Sequence, residues 1–280
     1  MVNLKEKLSV DGLVIAPGVI DAISARAVEL AGFPACYMTG SGVSAAHGYP
    51  DMGLLTQTEM AASVRRISSS VAIPLIADGD TGYGNELNVI RAVREYEFAG
   101  AAAIQIEDQV FPKRCGHFEK KQIIENADFL NKIRAAVSAR NRPDFLIIAR
   151  TDAIALEGFD AAIDRANAAI DAGADVAFVE APIDLDQMRA IPNRVKGPCL
   201  LNIVWRGKSP PVRFEDVEDM GYKIAILPSI LLKSYMGIVS RILEEAKEIG
   251  EHPVPPGDID IKAGADRAAG AEWKYYRDFV

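Results

Sequence analysis

Two kinds of segment alternate along this chain. Short apolar runs recur at Leu13 to Ala16, Ala35 to Met38, Ile73 to Ala77, Ala102 to Ile106, Phe145 to Ala149, Val176 to Val179, Cys199 to Leu201 and Ile224 to Leu227. They lack strict polar and apolar alternation, so they read as strands buried on both faces, as in a parallel sheet. Between them lie amphipathic stretches of helical period, among them Glu59 to Ser70, Glu86 to Ala99, Ala127 to Arg140, Phe159 to Ala172 and Phe214 to Met220. Gly32, Gly100, Gly173 and Gly221 each close such a stretch just ahead of an apolar run, where a left-handed helix C-cap belongs. Strands and helices in this alternation predict an α/β fold, a (β/α)8 TIM-type barrel over residues 1–250. No GxGxxG opens an early helix, which removes the main support for a dinucleotide-binding sheet.

Past the barrel, Pro253-Val254-Pro255-Pro256-Gly257 breaks any helix and reads as a linker. Residues 251–280 thus form a linker and a C-terminal helical arm, whose segment Ala265 to Phe279 carries Trp273, Tyr275, Tyr276 and Phe279. An arm bearing aromatics is better packed on a neighbouring subunit than left in water, which predicts a homo-oligomer with the C-terminal helix swapped between subunits.

Composition narrows the function classes. With 280 residues, 49% of them hydrophobic, the chain can bury a full core. Its net charge of −8 argues against a nucleic-acid binder, which needs a basic face. Cys36, Cys115 and Cys199 form no CxxC pair, so neither a disulfide framework nor a zinc site is expected. The N-terminus mixes both charges without an apolar core, and no run approaches the length of a membrane span. A cytoplasmic protein with no membrane partner is the expectation.

In such a barrel the chemistry sits at the C-terminal ends of strands. Those ends carry Thr39, Ser41 and Asp51, then Asp78 and Asp80, then Glu107 and Asp108, and finally Arg150, Asp152, Glu180 and Asn202. The cluster Asp78-Gly79-Asp80-Thr81-Gly82-Tyr83-Gly84 suits a hard divalent cation held by oxygen ligands. Asp and Gly also dominate ordinary turns, so the pattern alone is divided between the two readings. Arg150 ends an apolar strand and needs a partner, either Glu180 or an anionic substrate. Lys113-Arg114-Cys115-Gly116-His117 flanks a thiol with cations, which favours the thiolate and makes proton exchange near neutral pH accessible. An incidental cysteine in a solvated basic loop is the plainer alternative. Cys36 and Cys199, inside apolar strands, carry no assigned chemistry. His47, in the loop from Gly42 to Pro50, and His252, in the linker, lack metal-ligand spacing.

From about residue 10 to 245 the chain resembles the isocitrate lyase and phosphoenolpyruvate mutase superfamily, and within it the short bacterial lyases acting on 2-methylisocitrate and 2,3-dimethylmalate. The resemblance is carried by Tyr37-Met38-Thr39-Gly40-Ser41-Gly42, Pro50-Asp51, the Asp78 to Gly84 cluster, Ile106-Glu107-Asp108-Gln109, Lys113 to His117, Ala149-Arg150-Thr151-Asp152-Ala153 and Glu180-Ala181-Pro182. It implies a tetramer built from dimers and a Mg2+ site, with Mn2+ as a substitute ion, in which Asp78 and Asp80 are the metal carboxylates. It further implies catalytic roles for Cys115, Arg150, Glu107, His117 and Lys113. Tyr37, Thr39, Gly40, Ser41, Asp51, Arg114, Gly116, Glu180, Asn202 and Lys233 are implied in binding a small carboxylate substrate, under a closing loop that bears Cys115.

The complete Lys113 to His117 run resembles that of the carbon–carbon lyases. It implies retro-aldol cleavage of a 2-hydroxy di- or tricarboxylate to pyruvate or another 2-oxo acid plus a carboxylate. The alternative is a phosphonopyruvate mutase or hydrolase, or an oxaloacetate hydrolase or decarboxylase. Two departures touch substrate choice: the stretch Ile203 to Pro210, and Lys233 where the 2-methylisocitrate enzymes resembled here carry an arginine. Lysine keeps the charge but loses the bidentate fork.

Overall fold

The computed structural model describes residues 3–10, 12–114, 121–254, 257 and 264. Eight parallel strands close into a barrel in sequence order: β1 (Val14–Val19), β2 (Cys36–Met38), β3 (Leu75–Asp78), β4 (Ala103–Glu107), β5 (Leu146–Thr151), β6 (Val176–Val179), β7 (Cys199–Asn202) and β8 (Ile224–Leu227). The helices are α1 (Leu4–Ser9), α2 (Ala22–Leu30), α3 (Gly40–Ala46), α4 (Gln57–Ser68), α5 (Glu86–Phe98), α6 (Asn126–Ala139), α7 (Ile154–Glu157), α8 (Phe159–Asp171), α9 (Leu185–Arg194), α10 (Phe214–Asp219) and α11 (Ile230–Ile249). The (β/α)8 expectation is met.

Strand alternation builds two layers of core. Inward residues such as Tyr37, Ile76, Ile148, Phe178, Leu200 and Ile226 fill the barrel, joined by Leu4 of α1. Their neighbours Leu75, Ala77, Ala149 and Ala177 face outward into the helix layer. This double burial is why the strands read as unbroken apolar runs. Gly32, Gly100, Gly173 and Gly221 take φ of +82°, +97°, +104° and +96°, so the predicted left-handed caps form.

Several boundaries differ from the sequence reading. β1 continues through Pro17 and Gly18, which pair with Leu227 and Tyr37. The segment read as a loop after Gly42 is helical to Ala46, with Thr39 as N-cap and His47 as C-cap. The C-terminal arm from Ala265 to Phe279, and with it the expected helix swap, lies outside the described residues. Among the described residues no helix is long and apolar enough to cross a membrane.

Candidate active site

The Asp78 cluster is a tight turn between β3 and α5, pressed against the exit of β4. Gly79 donates to Gln105 O at 2.9 Å, and a Cβ there would fall 2.7 Å from that oxygen. Glu107 N donates to Asp80 O at 2.9 Å. Asp80 itself adopts a left-handed φ of +46°, a conformation Asp tolerates better than most residues. From behind, Tyr96 OH donates to Asp78 O at 3.0 Å and lies 2.6 Å from Tyr83 OH, while Lys132 Nζ donates to Thr81 O at 3.0 Å.

The carboxylates are fixed from several elements. Asp78 Oδ2 accepts from Gly40 N at 3.2 Å, and Asp78 Oδ1 accepts from Asp80 N at 3.0 Å and from Gln105 Nε2 at 3.4 Å. Gln105 in turn accepts from Tyr37 OH at 2.9 Å. The Lys113 ammonium lies 2.5 Å from Asp51 Oδ1 and 3.0 Å from Asp80 Oδ1. Burial raises the pKa of Asp80 to about 6 against the pull of Lys113. Burial also pushes Glu107 well above the usual carboxylate range, although Arg150 and Lys113 oppose it. Lys113 is held well above the ordinary lysine range; burial pulls it down and Asp80 and Asp78 outweigh that.

A cation fits here on chemical grounds. Both Glu107 carboxylate oxygens are buried without a hydrogen-bond donor, and Arg150 Nη1, 3.2 Å from Glu107 Oε2, makes an ion pair that is out of line for a hydrogen bond. The carboxylates gathered here, of Asp78, Asp80, Glu107 and Asp51, offer only hard oxygens, the atoms Mg2+ takes. Among the described residues no three acidic, His or Cys side chains converge into a complete cage. Mg2+ does not need one, since one or two carboxylates suffice and waters and substrate complete its shell.

Arg150 has a partner that the sequence reading did not name. Its guanidinium pairs with Asp152 through Nε (2.9 Å) and Nη2 (3.3 Å), stacks 5.1 Å from the Phe178 ring centroid and neighbours Glu107. Glu180 accepts from Asn202 Nδ2 at 3.2 and 3.3 Å. Asp108, named with Glu107 at the exit of β4, is engaged away from the Asp78 cluster: it accepts from Thr151 Oγ1 (2.6 Å), Asp152 N (2.9 Å) and Arg165 Nη1 (3.4 Å).

Tyr37, Thr39, Ser41, Asp51, Asp78, Lys113, Arg150, Glu180, Asn202 and Lys233 all line one cavity of about 610 Å3. Gly40 sits beneath it, where a Cβ would meet Asp78 Oδ2 at 2.6 Å. Lys233 Nζ donates to Trp205 O at 2.7 Å, so its ammonium braces the segment after β7. Arg114 is exposed and faces a separate depression with Gln109 and Lys121; it does not join the cavity. Cys115, Gly116 and His117 lie outside the described residues. A larger depression of about 710 Å3, bordered by Trp205, Phe214 and Ile230, is lined by no carboxylate. Gln105, Tyr96 and Lys121 escaped the sequence reading. The signal for Gln105 was there, a lone amide inside the apolar strand Ala103-Ile104-Gln105-Ile106.

The model of the phosphoenolpyruvate phosphomutase family matches residues 4–247. The chain is 47% identical over 228 residues to 2,3-dimethylmalate lyase of Eubacterium barkeri, covering 81% of this chain and 79% of that protein. It is 43% identical over 247 residues to 2-methylisocitrate lyase of Aeropyrum pernix, covering 88% and 80%. In shape it is similar to oxaloacetate acetylhydrolase in complex with 3,3-difluorooxalacetate, with a TM-score of 0.95, 34% identity, and 99% and 95% of the two chains covered. The chain belongs to the phosphoenolpyruvate phosphomutase family, within the isocitrate lyase and phosphoenolpyruvate mutase superfamily, and is an enzyme, a carbon–carbon lyase.

Proposed function

We propose that this enzyme cleaves a 2-hydroxy di- or tricarboxylate of the 2-methylisocitrate or 2,3-dimethylmalate type into pyruvate, or another 2-oxo acid, and a second carboxylate. The observation that carries the reading is that Asp78, Arg150, Glu180 and Asn202, from four different strand ends, face one cavity. Catalytic groups gathered from several strands are how this barrel assembles a site.

Asp78 and Asp80 would hold Mg2+, with Glu107 and Asp51 around it. When bound, the ion supplies Lewis acidity that lowers the pKa of the substrate hydroxyl. Arg150, its edge fixed by Asp152, holds the carboxylate of the fragment that becomes the 2-oxo acid. Thr39, Gly40 and Ser41 at the start of α3 orient that same end. The hydroxyl passes its proton to solvent water in the open cavity, its carbon becomes the oxo carbon, and the broken carbon–carbon bond leaves its electron pair on the departing fragment. Lys113 offsets the charge that develops there. The thiol proton of Cys115, assigned from the sequence pattern, then forms the new C–H bond and leaves a thiolate favoured by its cationic neighbours.

A homo-oligomer is part of this reading. α11 has no buried residue along its length and exposes Tyr235, Met236 and Leu243, a face suited to cover by a second copy. A monomeric mass in solution would contradict it. The likeness in shape to oxaloacetate acetylhydrolase favours a second reading, hydrolysis of oxaloacetate, in which Cys115 is a bystander. The test is a panel of 2-hydroxy di- and tricarboxylates, oxaloacetate and phosphonopyruvate with Mg2+, run on the unmodified enzyme and on Cys115→Ala. Release of pyruvate or glyoxylate from a hydroxy acid, lost in Cys115→Ala, is expected. Turnover of oxaloacetate alone, unaffected by Cys115→Ala, would replace the first reading with the second.

A further inference from the structure

Lys121 is 5% exposed, and its Nζ lies 2.6 Å from Asp152 Oδ1. Asp152 is fully buried, and the same Oδ1 accepts from Arg150 Nη2 while Oδ2 accepts from Arg150 Nε. One carboxylate therefore joins two buried cations, and only Arg150 of the two reaches the substrate cavity. The Asp152 backbone is pinned as well, its N–H donating to Asp108 Oδ1 at 2.9 Å.

Two physical consequences follow for Arg150. The charge of Asp152 opposes that of Arg150, as does that of Glu107 at 3.2 Å; the Lys121 ammonium offsets the Asp152 share. Lys121 also holds one oxygen of the Asp152 carboxyl from the side away from the cavity, and the plane of that carboxyl sets the direction of the guanidinium fork. The Phe178 ring, 5.1 Å from the guanidinium carbon, covers one face of the group and sets no direction for its fork.

We infer that Lys121 is a positioning residue for the reaction: acting through Asp152, it sets the orientation in which Arg150 receives the substrate carboxylate. The inference rests on the reading of Arg150 as the carboxylate-holding residue.

The test is calorimetric titration of the Mg2+-loaded enzyme with oxalate, a planar dicarboxylate resembling the 2-oxo acid end, alongside thermal denaturation. The variants are Lys121→Met, Lys121→Arg, the double variant Lys121→Met with Asp152→Asn, and Arg150→Lys as reference. Arg150→Lys and Lys121→Met are each expected to weaken oxalate by about tenfold or more, and Lys121→Arg by less than about threefold. The double variant removes both charges, so it should regain most of the lost Tm yet remain about tenfold weak for oxalate. Affinity that returns together with Tm in the double variant would overturn the inference, as would Lys121→Met binding oxalate like the unmodified enzyme while Arg150→Lys does not. Unchanged affinity in Arg150→Lys, or no binding to the unmodified enzyme, would overturn the Arg150 reading itself. If Lys121→Met does not fold, the double variant and Lys121→Arg decide.

Discussion

Lys113 and Asp80 form a buried ion pair of 3.0 Å at the mouth of the barrel, and Asp51 shares the same ammonium. A cation between carboxylates offsets their mutual repulsion, and removing one partner of such a buried group leaves the rest uncompensated. Lys113→Met is therefore expected to lower metal-free stability by about 3 kcal/mol. Mg2+ should raise the Tm of that variant more than it raises the Tm of the unmodified enzyme. Denaturation with and without Mg2+ checks this, and equal metal-induced shifts would speak against it.

The pH dependence of metal binding follows from Asp80. Burial raises its pKa to about 6, against Lys113, so the folded state holds a proton that the unfolded chain releases near pH 4. That contribution stabilises the metal-free protein at low pH and is lost as pH rises through about 6. Metal binding needs the deprotonated carboxylate, so the Mg2+-induced Tm shift is expected to grow between about pH 5 and 7.5 and to lose part of this slope in Asp80→Asn, the raised Glu107 carboxyl keeping the rest. A shift that is flat with pH would count against the assignment.

Gly40 admits no side chain. A Cβ there would lie 2.6 Å from Asp78 Oδ2 and 3.1 Å from its Cγ, so Gly40→Ala must displace the carboxylate that Gly40 N fixes. An Mg2+ affinity weaker by about tenfold or more, with little change in Tm, is the expected result; calorimetry on the two proteins measures it.

The barrel was legible because double burial writes each strand as an apolar run: β6 and β8 match their predicted spans residue for residue. Pro and Gly misled elsewhere. The first apolar run stops at Ala16, yet Pro17 and Gly18 beyond it pair in register within β1. α9 went unread and carries Pro192 in its last turn. At the site, strand-end position picked out Asp78, Arg150, Glu180 and Asn202, because strand exits in this fold converge on one rim. Pairing among those residues was not legible. Arg150 hydrogen-bonds Asp152, which lies past the end of β5, where strand alternation no longer says which way a side chain turns.

Asp108 shows the same limit and gives a separate test. Its carboxylate serves Thr151, Asp152 N and Arg165, away from the Asp78 cluster. Asp108→Ala leaves buried donors unsatisfied and is expected to cost about 2 to 3 kcal/mol of stability, while Mg2+ affinity stays within about twofold. A large loss of Mg2+ affinity at unchanged Tm would return Asp108 to the metal site.

The central claim, scission of a carbon–carbon bond at the Asp78 and Arg150 rim, is tested most directly by 13C NMR of the enzyme with Mg2+ and isotopically labelled 2,3-dimethylmalate or 2-methylisocitrate. The expected spectrum has the labelled 2-carbon in pyruvate's oxo group, with no conversion after EDTA or in Asp78→Asn. Conversion that persists without metal, or no cleavage of either hydroxy acid beside hydrolysis of oxaloacetate, would contradict it.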